Sequence, residues 1–206
     1  MDNPWKSIKL SDYENHMKLD TVMQLQTLNS MMKEQLNAYS VDNVMILGVA
    51  GGNGLEHIKT EKYNTVYCID INSEYLQEVR NRYNNLNNIM KCLCIDLISE
   101  TDKLSPCDFI IANLLIEYIG YECFQTIVKQ VKPKYVSCGI QINTNEKFVS
   151  DSPYLHSFDG LNSVHHQIET EELTEAMYGI GYKLVLTKEY PLPNRKKLLQ
   201  ADFEKL

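Results

Sequence analysis

The chain has 206 residues, 44% of them hydrophobic, which predicts a single domain with one sizeable core over residues 1–206. With 27 acidic and 20 basic residues, the formal net charge of −7 disfavours the broad basic surface of a nucleic-acid-binding protein. No stretch is apolar for the length of a membrane span, and the first residues lack the apolar region of a signal peptide. We therefore expect a cytoplasmic protein with neither a nucleic-acid nor a membrane partner.

Two helices are predicted before the first strand. Ser11 and Glu14 have the spacing of a capping box, which predicts a helix start at Ser11. A second helix is predicted to begin at Asp20, because apolar residues follow it at helical spacing. These residues are Leu25, Leu28, Met32, Leu36 and Tyr39. We expect residues 1–39 to form a helical lid over a core of residues 40–206.

From residue 44 onward, strands alternate with helices. Continuous apolar runs predict strands at Val44–Leu47, Val66–Ile69, Ile89–Cys94, Phe109–Ala112 and Tyr135–Ile142. The intervening helices are predicted near Leu55–Lys59, from a cap at Asn72 or Ser73 to Tyr83, and from Ile116 to a stop at Pro133. This alternation is typical of a parallel sheet covered by helices on both faces.

The end of the chain departs from this alternation. After a helix near Glu171–Tyr178, two strand-like runs at Tyr182–Tyr190 and Lys197–Phe203 are separated by the turn sequence PLPNR. Two strands joined by such a turn predict a hairpin, so that the sheet includes an antiparallel strand.

The glycine-rich segment GVAGGNG, from Gly48 to Gly54, directly follows the first predicted strand. In open α/β sheets ligands bind at the carboxyl ends of strands, where glycines allow the backbone to approach them. The spacing is not the G-x-G-x-x-G of dinucleotide-binding proteins, and no Gly-Lys-Ser/Thr follows as in a phosphate-binding loop. By themselves the glycines indicate a ligand site without identifying the ligand.

Carboxylates at the ends of the next two strands narrow the choice of ligand. Asp70 ends the second strand and can accept hydrogen bonds from both hydroxyls of a ribose. Asp96 follows the third strand, where it can accept from an adenine amino group. The sequence therefore predicts that an adenosine group is held from three consecutive strand ends.

The ordered segments MILGVAGGNGLEHI, VYCIDIN, CLCIDLI and FIIANLL, followed by the hairpin, resemble class I S-adenosylmethionine-dependent methyltransferases over roughly residues 40–206. The resemblance implies a Rossmann-like three-layer α/β sandwich whose seven-stranded sheet has the order 3-2-1-4-5-7-6 with strand 7 antiparallel. It also implies S-adenosyl-L-methionine as the cofactor. The implied contacts are Gly48, Ala50, Gly52 and Asn53 at its methionine end, Asp70 and Ile71 at the ribose, Asp96 and Leu97 at the adenine, and Asn113 near the methyl group.

Two positions differ from the family pattern. Gly48 stands where an acidic residue usually opens the first motif, so the contact to the amino end of the cofactor must come from the backbone, water or another residue. Ala50 replaces the first glycine of the motif. The six cysteines form no CxxC pair and have no histidine at metal-site spacing, so no metal site is expected.

No pattern identifies a single catalytic group, because methyl transfer needs a base only when the acceptor must lose a proton. The candidate bases are His16, Glu117, His165 and His166. Each also has a structural interpretation: Glu117 begins a predicted helix, and the paired histidines lie in a loop that leads into one. Tyr13 is a candidate lid contact, and the segment 143–166 is the predicted opposite wall of the acceptor pocket.

The segment that ends the fourth strand bears on the substrate class. NLLI at residues 113–116 is not the Asn/Asp-Pro-Pro-Tyr signature of enzymes that methylate the amino groups of bases or glutamine. Together with the acidic balance this favours a small-molecule acceptor, while the oligomeric state is not predicted. Two alternatives stay open: a non-catalytic domain that binds the cofactor or a partner, and an NAD-dependent oxidoreductase.

Overall fold

The computed structural model describes residues 3–143, 148–193 and 195–206, and its strands form one seven-stranded sheet. The strands are β1 (Asn43–Leu47), β2 (Thr65–Asp70), β3 (Met90–Cys94), β4 (Phe109–Asn113), β5 (Tyr135–Ile142), β6 (Tyr182–Pro191) and β7 (Lys197–Lys205). Their order is β3-β2-β1-β4-β5-β7-β6. β1 to β5 pair in parallel, and β7 lies antiparallel between β5 and β6. The predicted sheet order and its antiparallel strand 7 are confirmed.

The helices pack on both faces of the sheet. They are α1 (Leu10–Met17), α2 (Gln24–Ala38), α3 (Ser73–Arg82), α4 (Ile116–Val131) and α5 (Thr170–Tyr178). Short 3-10 segments occur at Pro4–Lys6, Leu55–His57, Asn84–Leu86, Thr101–Lys103 and Leu155–Ser163. Asn72 caps α3 as predicted, because its Oδ1 accepts hydrogen bonds from the backbone N–H groups of Glu74 and Tyr75 at 3.0 and 3.3 Å. In the described part of the chain, no helix is long and apolar enough to cross a membrane.

Alternate side chains of β1 enter the two hydrophobic layers of the molecule. Val44 and Ile46 pack with residues of α2 and α3, whereas Met45 and Leu47 pack with residues of α4 and α5. All four are at most 5% exposed. Burial on both faces explains why the strand reads as a continuous apolar run and completes the three-layer sandwich.

Two predictions about the N-terminal region are wrong. Ser11 does not cap a helix: α1 begins at Leu10 after Lys9, which makes no side-chain capping bond. The second helix begins at Gln24 instead of Asp20. α2 is part of the core, because it contributes the fully buried Met31 and Gln35, and its Leu36 packs under the sheet. The lid role of residues 1–39 stays a prediction.

The C-terminal hairpin agrees with the sequence in its two strands, which pair from Tyr182–Lys205 to Pro191–Lys197. A register shift between Leu184 and Leu186 interrupts the pairing. In the predicted turn PLPNR, residue 194 lies outside the described residues.

Candidate active site

A cavity with about 670 Å³ of empty space, open solvent included, lies at the carboxyl ends of β1 to β4. We call it the strand-end cavity. Of the nine predicted cofactor residues it is lined by Gly48, Ala50, Asp70, Ile71, Asp96, Leu97 and Asn113. Most of its other lining is apolar or aromatic, including Trp5, Tyr75 and Ile98. The structure therefore gathers seven residues that are spread over 66 positions of sequence.

Asp70 is 7% exposed and lies at the base of this cavity. Its Oδ2 accepts a hydrogen bond from the N–H of Ala50 at 2.9 Å, and its Oδ1 accepts one from the N–H of Asn72 at 2.9 Å. Burial raises the pKa of this carboxyl, and the backbone hydrogen bonds oppose the shift. Each carboxylate oxygen has a second lone pair, so Asp70 can still accept from a ligand.

The backbone bends sharply at both ends of the turn after β1. Gly48 has φ of 66°, and a Cβ there would approach Cδ1 of Leu115 to 3.2 Å. Ala50 has φ of 47°, a left-handed conformation that is uncommon for a residue with a Cβ. The hydrogen bond from Ala50 to Asp70 helps to hold this conformation, so the turn and the carboxylate support each other.

Two predicted cofactor residues do not line the strand-end cavity. Gly52 packs against the ring of Tyr83, since a Cβ at position 52 would lie 2.6 Å from Cε2 of Tyr83. Asn53 joins the turn to α2: its Nδ2 donates to the carbonyl of Leu25 at 2.8 Å, and its Oδ1 accepts from Nδ2 of Asn29 at 3.0 Å. Contact of these two residues with a cofactor stays a prediction.

A second space, of about 520 Å³, adjoins the glycine segment and is here called the glycine-loop cavity. It shares Tyr13, Gly48, Ala50 and Asn113 with the strand-end cavity and also has Glu14, Gly51 and Asn53 in its lining. The Glu14 carboxylate is bound by Arg82 of α3, whose Nη2 lies 3.0 Å from Oε2 of Glu14. Nη1 of Arg82 also donates to the carbonyl of Gly51 at 3.3 Å. A carboxylate from α1 thus stands beside the turn whose first position, Gly48, has none.

A third space, of about 550 Å³, lies beyond β4 and is here called the aromatic cavity. It shares Trp5, Tyr13, Leu114 and Tyr118 with the strand-end cavity. The ring of Trp5 packs edge-on against those of Tyr13 and Tyr118, with centroids 5.8 and 4.9 Å apart. Tyr13 lines all three cavities, so α1 places one residue where they meet.

The predicted opposite wall lies on the far side of the aromatic cavity. Phe148 and Phe158 line it, and Phe148 stacks on His165 with centroids 3.8 Å apart. Within the predicted wall segment, residues 144–147 lie outside the described residues.

Glu117 is the buried carboxylate of the aromatic cavity and is 5% exposed. It lies in the first turn of α4, which is interrupted by Gly120 at φ 73° and ψ 170°. Its Oε1 accepts a hydrogen bond from the N–H of Gln141 at 2.8 Å, whereas its Oε2 has no hydrogen-bond partner among the described residues. Burial raises the pKa of this carboxyl to about 7. An unpartnered buried oxygen is rare in folded proteins, so Oε2 needs a partner outside the described residues, such as a water, an ion or a ligand.

The three candidate histidines differ in position. His16 lines the aromatic cavity, and its Nδ1 lies 2.8 Å from Oγ of Ser152. Burial, followed by the charge of Lys196, lowers the pKa of His16 to about 4, and burial also lowers the pKa of His165. His166 is exposed and lies outside the described linings of the three cavities, with its ring near Gly120. Its backbone N–H donates to the carbonyl of Glu117 at 2.6 Å.

Asn113 ends β4 with its amide bound inside the protein. Its Nδ2 donates to Oε1 of Gln35 at 2.8 Å, and its Oδ1 accepts from Nε2 of the same residue at 2.9 Å. Gln35 also donates to Oγ of Ser137 at 2.9 Å. The next residue, Leu114, has φ of 52° and donates to the carbonyl of Gly139 at 2.7 Å. Such backbone strain in a non-glycine residue is frequent at active sites, and here it lies between two cavities.

Comparison with known proteins shows which fold this is. No family model and no curated protein matches the chain. Among solved structures, the N-methyltransferase NodS from Bradyrhizobium japonicum WM9, in complex with S-adenosyl-L-homocysteine, has a TM-score of 0.67 at 13% identity, covering 99% of both chains. The chain has the class I S-adenosylmethionine-dependent methyltransferase fold.

Two further structures show how widely this methyltransferase fold is used. Magnesium protoporphyrin IX methyltransferase from Synechocystis PCC 6803, with bound S-adenosylhomocysteine, has a TM-score of 0.64 at 12% identity, covering 96% of this chain and 95% of that one. The [4+2]-cyclase SpnF has a TM-score of 0.66 at 10% identity, covering 93% and 85%.

Several features of this methyltransferase-fold site were not predicted from the sequence. These are the Trp5 and Tyr118 rings, the Gln35 partner of Asn113, the strained Leu114 and the Glu14–Arg82 pair. Each feature depends on a contact between distant parts of the chain. Among these residues, Glu14 had a signal in the sequence, but that signal was assigned to a capping box that does not form.

Proposed function

We propose that the protein is an S-adenosylmethionine-dependent methyltransferase that acts on a small-molecule acceptor. The observation that carries the proposal is the joining of the three cavities at Tyr13. Two of them follow the strand ends and the glycine turn, and the third is a separate aromatic space beside them. A methyl donor and an acceptor need two such sites in contact, because the reacting atoms must approach in line.

The residues of the strand-end cavity fit an adenosine group. Asp70 retains lone pairs for ribose hydroxyls, and Asp96 stands at the neighbouring strand end with Leu97 and Ile98 beside it. The apolar lining suits the faces of an adenine ring. NodS and the magnesium protoporphyrin methyltransferase are described in complexes with S-adenosylhomocysteine, which supports the same ligand here.

The glycine-loop cavity fits the amino acid end of the same molecule. Glu14 offers a carboxylate to the amino group, in place of the acidic residue that is missing at position 48. Arg82 holds this carboxylate in place and offers positive charge near Gly51. Glu14 of α1 would therefore supply the acidic group that position 48 lacks.

The bound cofactor would supply an electrophilic methyl group on a sulfonium. The chain would supply alignment and exclusion of water. Trp5, Tyr13 and Tyr118 form the shared wall that covers both sites, and their apolar surfaces exclude solvent from the space between them. The strained Leu114 lies at the same boundary.

Methyl transfer can be tested with S-adenosylmethionine that carries a labelled methyl group and a library of small metabolites. We expect a labelled small molecule and an equal amount of S-adenosylhomocysteine. If the protein binds S-adenosylhomocysteine but labels nothing in a broad library, the non-catalytic alternative replaces this proposal. The fold of SpnF, a cyclase, shows that similar architecture accompanies another named reaction. Reduction of NAD coupled to oxidation of a metabolite would instead identify an oxidoreductase.

A further inference from the structure

We propose that the acceptor is an amine that binds in the aromatic cavity with its N–H group on Oε2 of Glu117, and that Glu117 accepts the proton that the amine loses. This inference rests on the proposed methyltransferase function and adds a substrate class and a proton acceptor to it.

The first support is the unsatisfied carboxylate. Glu117 lines the aromatic cavity, is 5% exposed, and uses only Oε1 in a hydrogen bond within the described residues. A buried carboxylate without full hydrogen bonding costs several kilocalories per mole or is protonated. A ligand N–H beside Oε2 would satisfy this oxygen. Among the described residues, Oε2 is therefore a buried hydrogen-bond acceptor without a donor from the protein.

The second support is the aromatic lining around that oxygen. Rings from the N-terminal segment, α1, α4 and the 148–158 segment surround the cavity, namely Trp5, Tyr13, Tyr118, Phe148 and Phe158. The faces of aromatic rings attract organic cations, and the attraction is largest where water is excluded. A protonated amine would thus gain from both the rings and the carboxylate.

The third support is the balance of charge in the cavity. Among its described lining residues there is one carboxylate, Glu117, and no lysine or arginine. His16 and His165 are neutral at pH 7 because burial lowers their pKa values. Lys196 lies close enough to affect both histidines, and its Nζ donates to the carbonyl of Phe148 at 2.7 Å. The lining thus favours a cationic ligand over an anionic one.

Other acceptor classes fit this cavity less well. A carboxylate acceptor would place a second negative charge beside Glu117, which is unfavourable at low dielectric. An alcohol can donate to Oε2 but gains nothing from cation–π attraction. An amine makes both interactions, so it is the class that this lining selects.

The N–H proton of the ammonium passes to Oε2 of Glu117, which exposes the nitrogen lone pair. The lone pair forms a C–N bond to the methyl carbon while the methyl–sulfur bond breaks and its electron pair stays on sulfur. The products are an N-methylated ammonium and S-adenosylhomocysteine, and Glu117 then releases its proton to solvent. Burial raises the pKa of Glu117 to about 7, which is suited to a group that gains and loses a proton near neutral pH.

The inference can be tested by calorimetry on protein saturated with S-adenosylhomocysteine. The probes are matched sets of amine, alcohol and carboxylate on the same carbon skeleton, such as 2-phenylethylamine, 2-phenylethanol and phenylacetate, together with cyclohexyl and straight-chain equivalents. We expect at least one amine to bind at least tenfold more tightly than its alcohol and carboxylate partners. Tighter binding of the alcohols or carboxylates, or no binding by any amine, would overturn the inference.

Two variants assign the effect to one carboxylate. Glu117→Gln is expected to weaken amine binding at least tenfold, because Gln has no charge for the ammonium. Glu122→Gln, an exposed position on the same helix, is the matched control and is expected to bind the amine as the wild type does. Equal loss in both variants, or no loss in Glu117→Gln, would contradict the role of Glu117.

Binding of S-adenosylhomocysteine separates this inference from the proposed function. Glu117 does not line either of the two cavities assigned to the cofactor. We therefore expect Glu117→Gln to bind S-adenosylhomocysteine with wild-type affinity, which also shows that the variant is folded. If the wild type does not bind S-adenosylhomocysteine, the proposed function fails. If it does bind but the amines do not, only the inference fails.

Discussion

Arg82, at the end of α3, donates hydrogen bonds to both carboxylate oxygens of Glu14 on α1. The same guanidinium pairs with Glu78 at 2.8 Å. It also donates a hydrogen bond to the carbonyl of Gly51 in the glycine turn. α1 is therefore tied to the turn after β1 by a charged pair that borders the glycine-loop cavity. Because Gly48 cannot provide a carboxylate, we expect ligand binding to depend on the carboxylate of Glu14.

Glu14→Gln is expected to weaken binding of S-adenosylhomocysteine, measured by calorimetry. A hydrogen bond to a charged group contributes roughly 1.5–3 kcal/mol, so the loss corresponds to about tenfold to a hundredfold or more in affinity. Glu78→Gln is the matched control, because it removes the other carboxylate partner of Arg82 but lies outside the described cavity linings. The same affinity in both variants would exclude Glu14 from the binding site.

Ala50→Gly is expected to stabilise the free protein. Ala50 has φ of 47°, where a Cβ costs roughly 1–2 kcal/mol, whereas glycine adopts this region freely. The greater freedom of glycine in the unfolded chain offsets about 0.4–1 kcal/mol of that gain. We expect the free energy of unfolding in urea to rise by up to about 1 kcal/mol.

The control for this variant is Ala176→Gly in α5, which has helical neighbours on both sides. It is expected to lower the free energy of unfolding by roughly 0.5–1 kcal/mol. If both substitutions destabilise the protein, the left-handed conformation at Ala50 is not strained.

Glu117→Gln is expected to stabilise the protein at alkaline pH. The pKa of Glu117 is raised from 4.5 to about 7, so the folded state binds its proton more tightly than the unfolded state. The contribution of this protonated carboxyl to the free energy of unfolding is then largest below pH 4.5 and is lost as the pH rises to about 7. Each pKa unit corresponds to about 1.4 kcal/mol, so the cost in the wild type approaches roughly 3 kcal/mol above pH 7.

The measurement is urea denaturation of the wild type and Glu117→Gln at pH 5 and pH 8. The free energy of unfolding of the variant, relative to that of the wild type, is expected to be higher at pH 8 than at pH 5. Other titratable groups near this carboxyl are His16, His165, Tyr118 and Cys138. Because they occur in both proteins, the comparison removes most of their contribution. A difference that does not change with pH would show that Glu117 titrates normally.

Hydrogen exchange is expected to divide the N-terminal region into two parts. α1 contributes Tyr13 to all three cavities, and S-adenosylhomocysteine is expected to slow amide exchange in residues 10–17. α2 carries fully buried core residues, so residues 24–38 are expected to be protected with and without the ligand. Equal protection of α1 in both states would show that it is a fixed part of the scaffold.

The strands were predictable because burial on both faces leaves a continuous apolar run. β1, β4 and β5 lie within the sheet, and their predicted bounds agree with the structure to within one residue. The strand-end positions of Asp70 and Asp96 followed from the predicted runs of the second and third strands, which the structure gives as Thr65–Asp70 and Met90–Cys94. The helix starts near Ser11 and Asp20 were wrong because local capping patterns do not include distant partners. Glu14, expected to reach back to its own helix, binds Arg82 instead.

The acceptor side of the site was not predictable in the same way. Glu117 was one of four candidate bases, and nothing in its sequence context shows that one oxygen lacks a partner. The partners of this carboxylate come from distant parts of the chain, since its Oε1 is bound by the N–H of Gln141 in β5. His166 has the same local context as His165, yet it points away from the cavities. Such differences arise from packing and not from residue type.

The most direct test of the account is calorimetric titration of the wild-type protein with S-adenosylhomocysteine and, separately, with NAD. The strand-end and glycine-loop cavities adjoin and meet at Gly48 and Ala50, so together they offer one continuous site for an adenosine group and an amino acid. We predict saturable binding of one S-adenosylhomocysteine per chain and no measurable binding of NAD. Binding of NAD without binding of S-adenosylhomocysteine, or binding of neither, would contradict the proposed methyltransferase function.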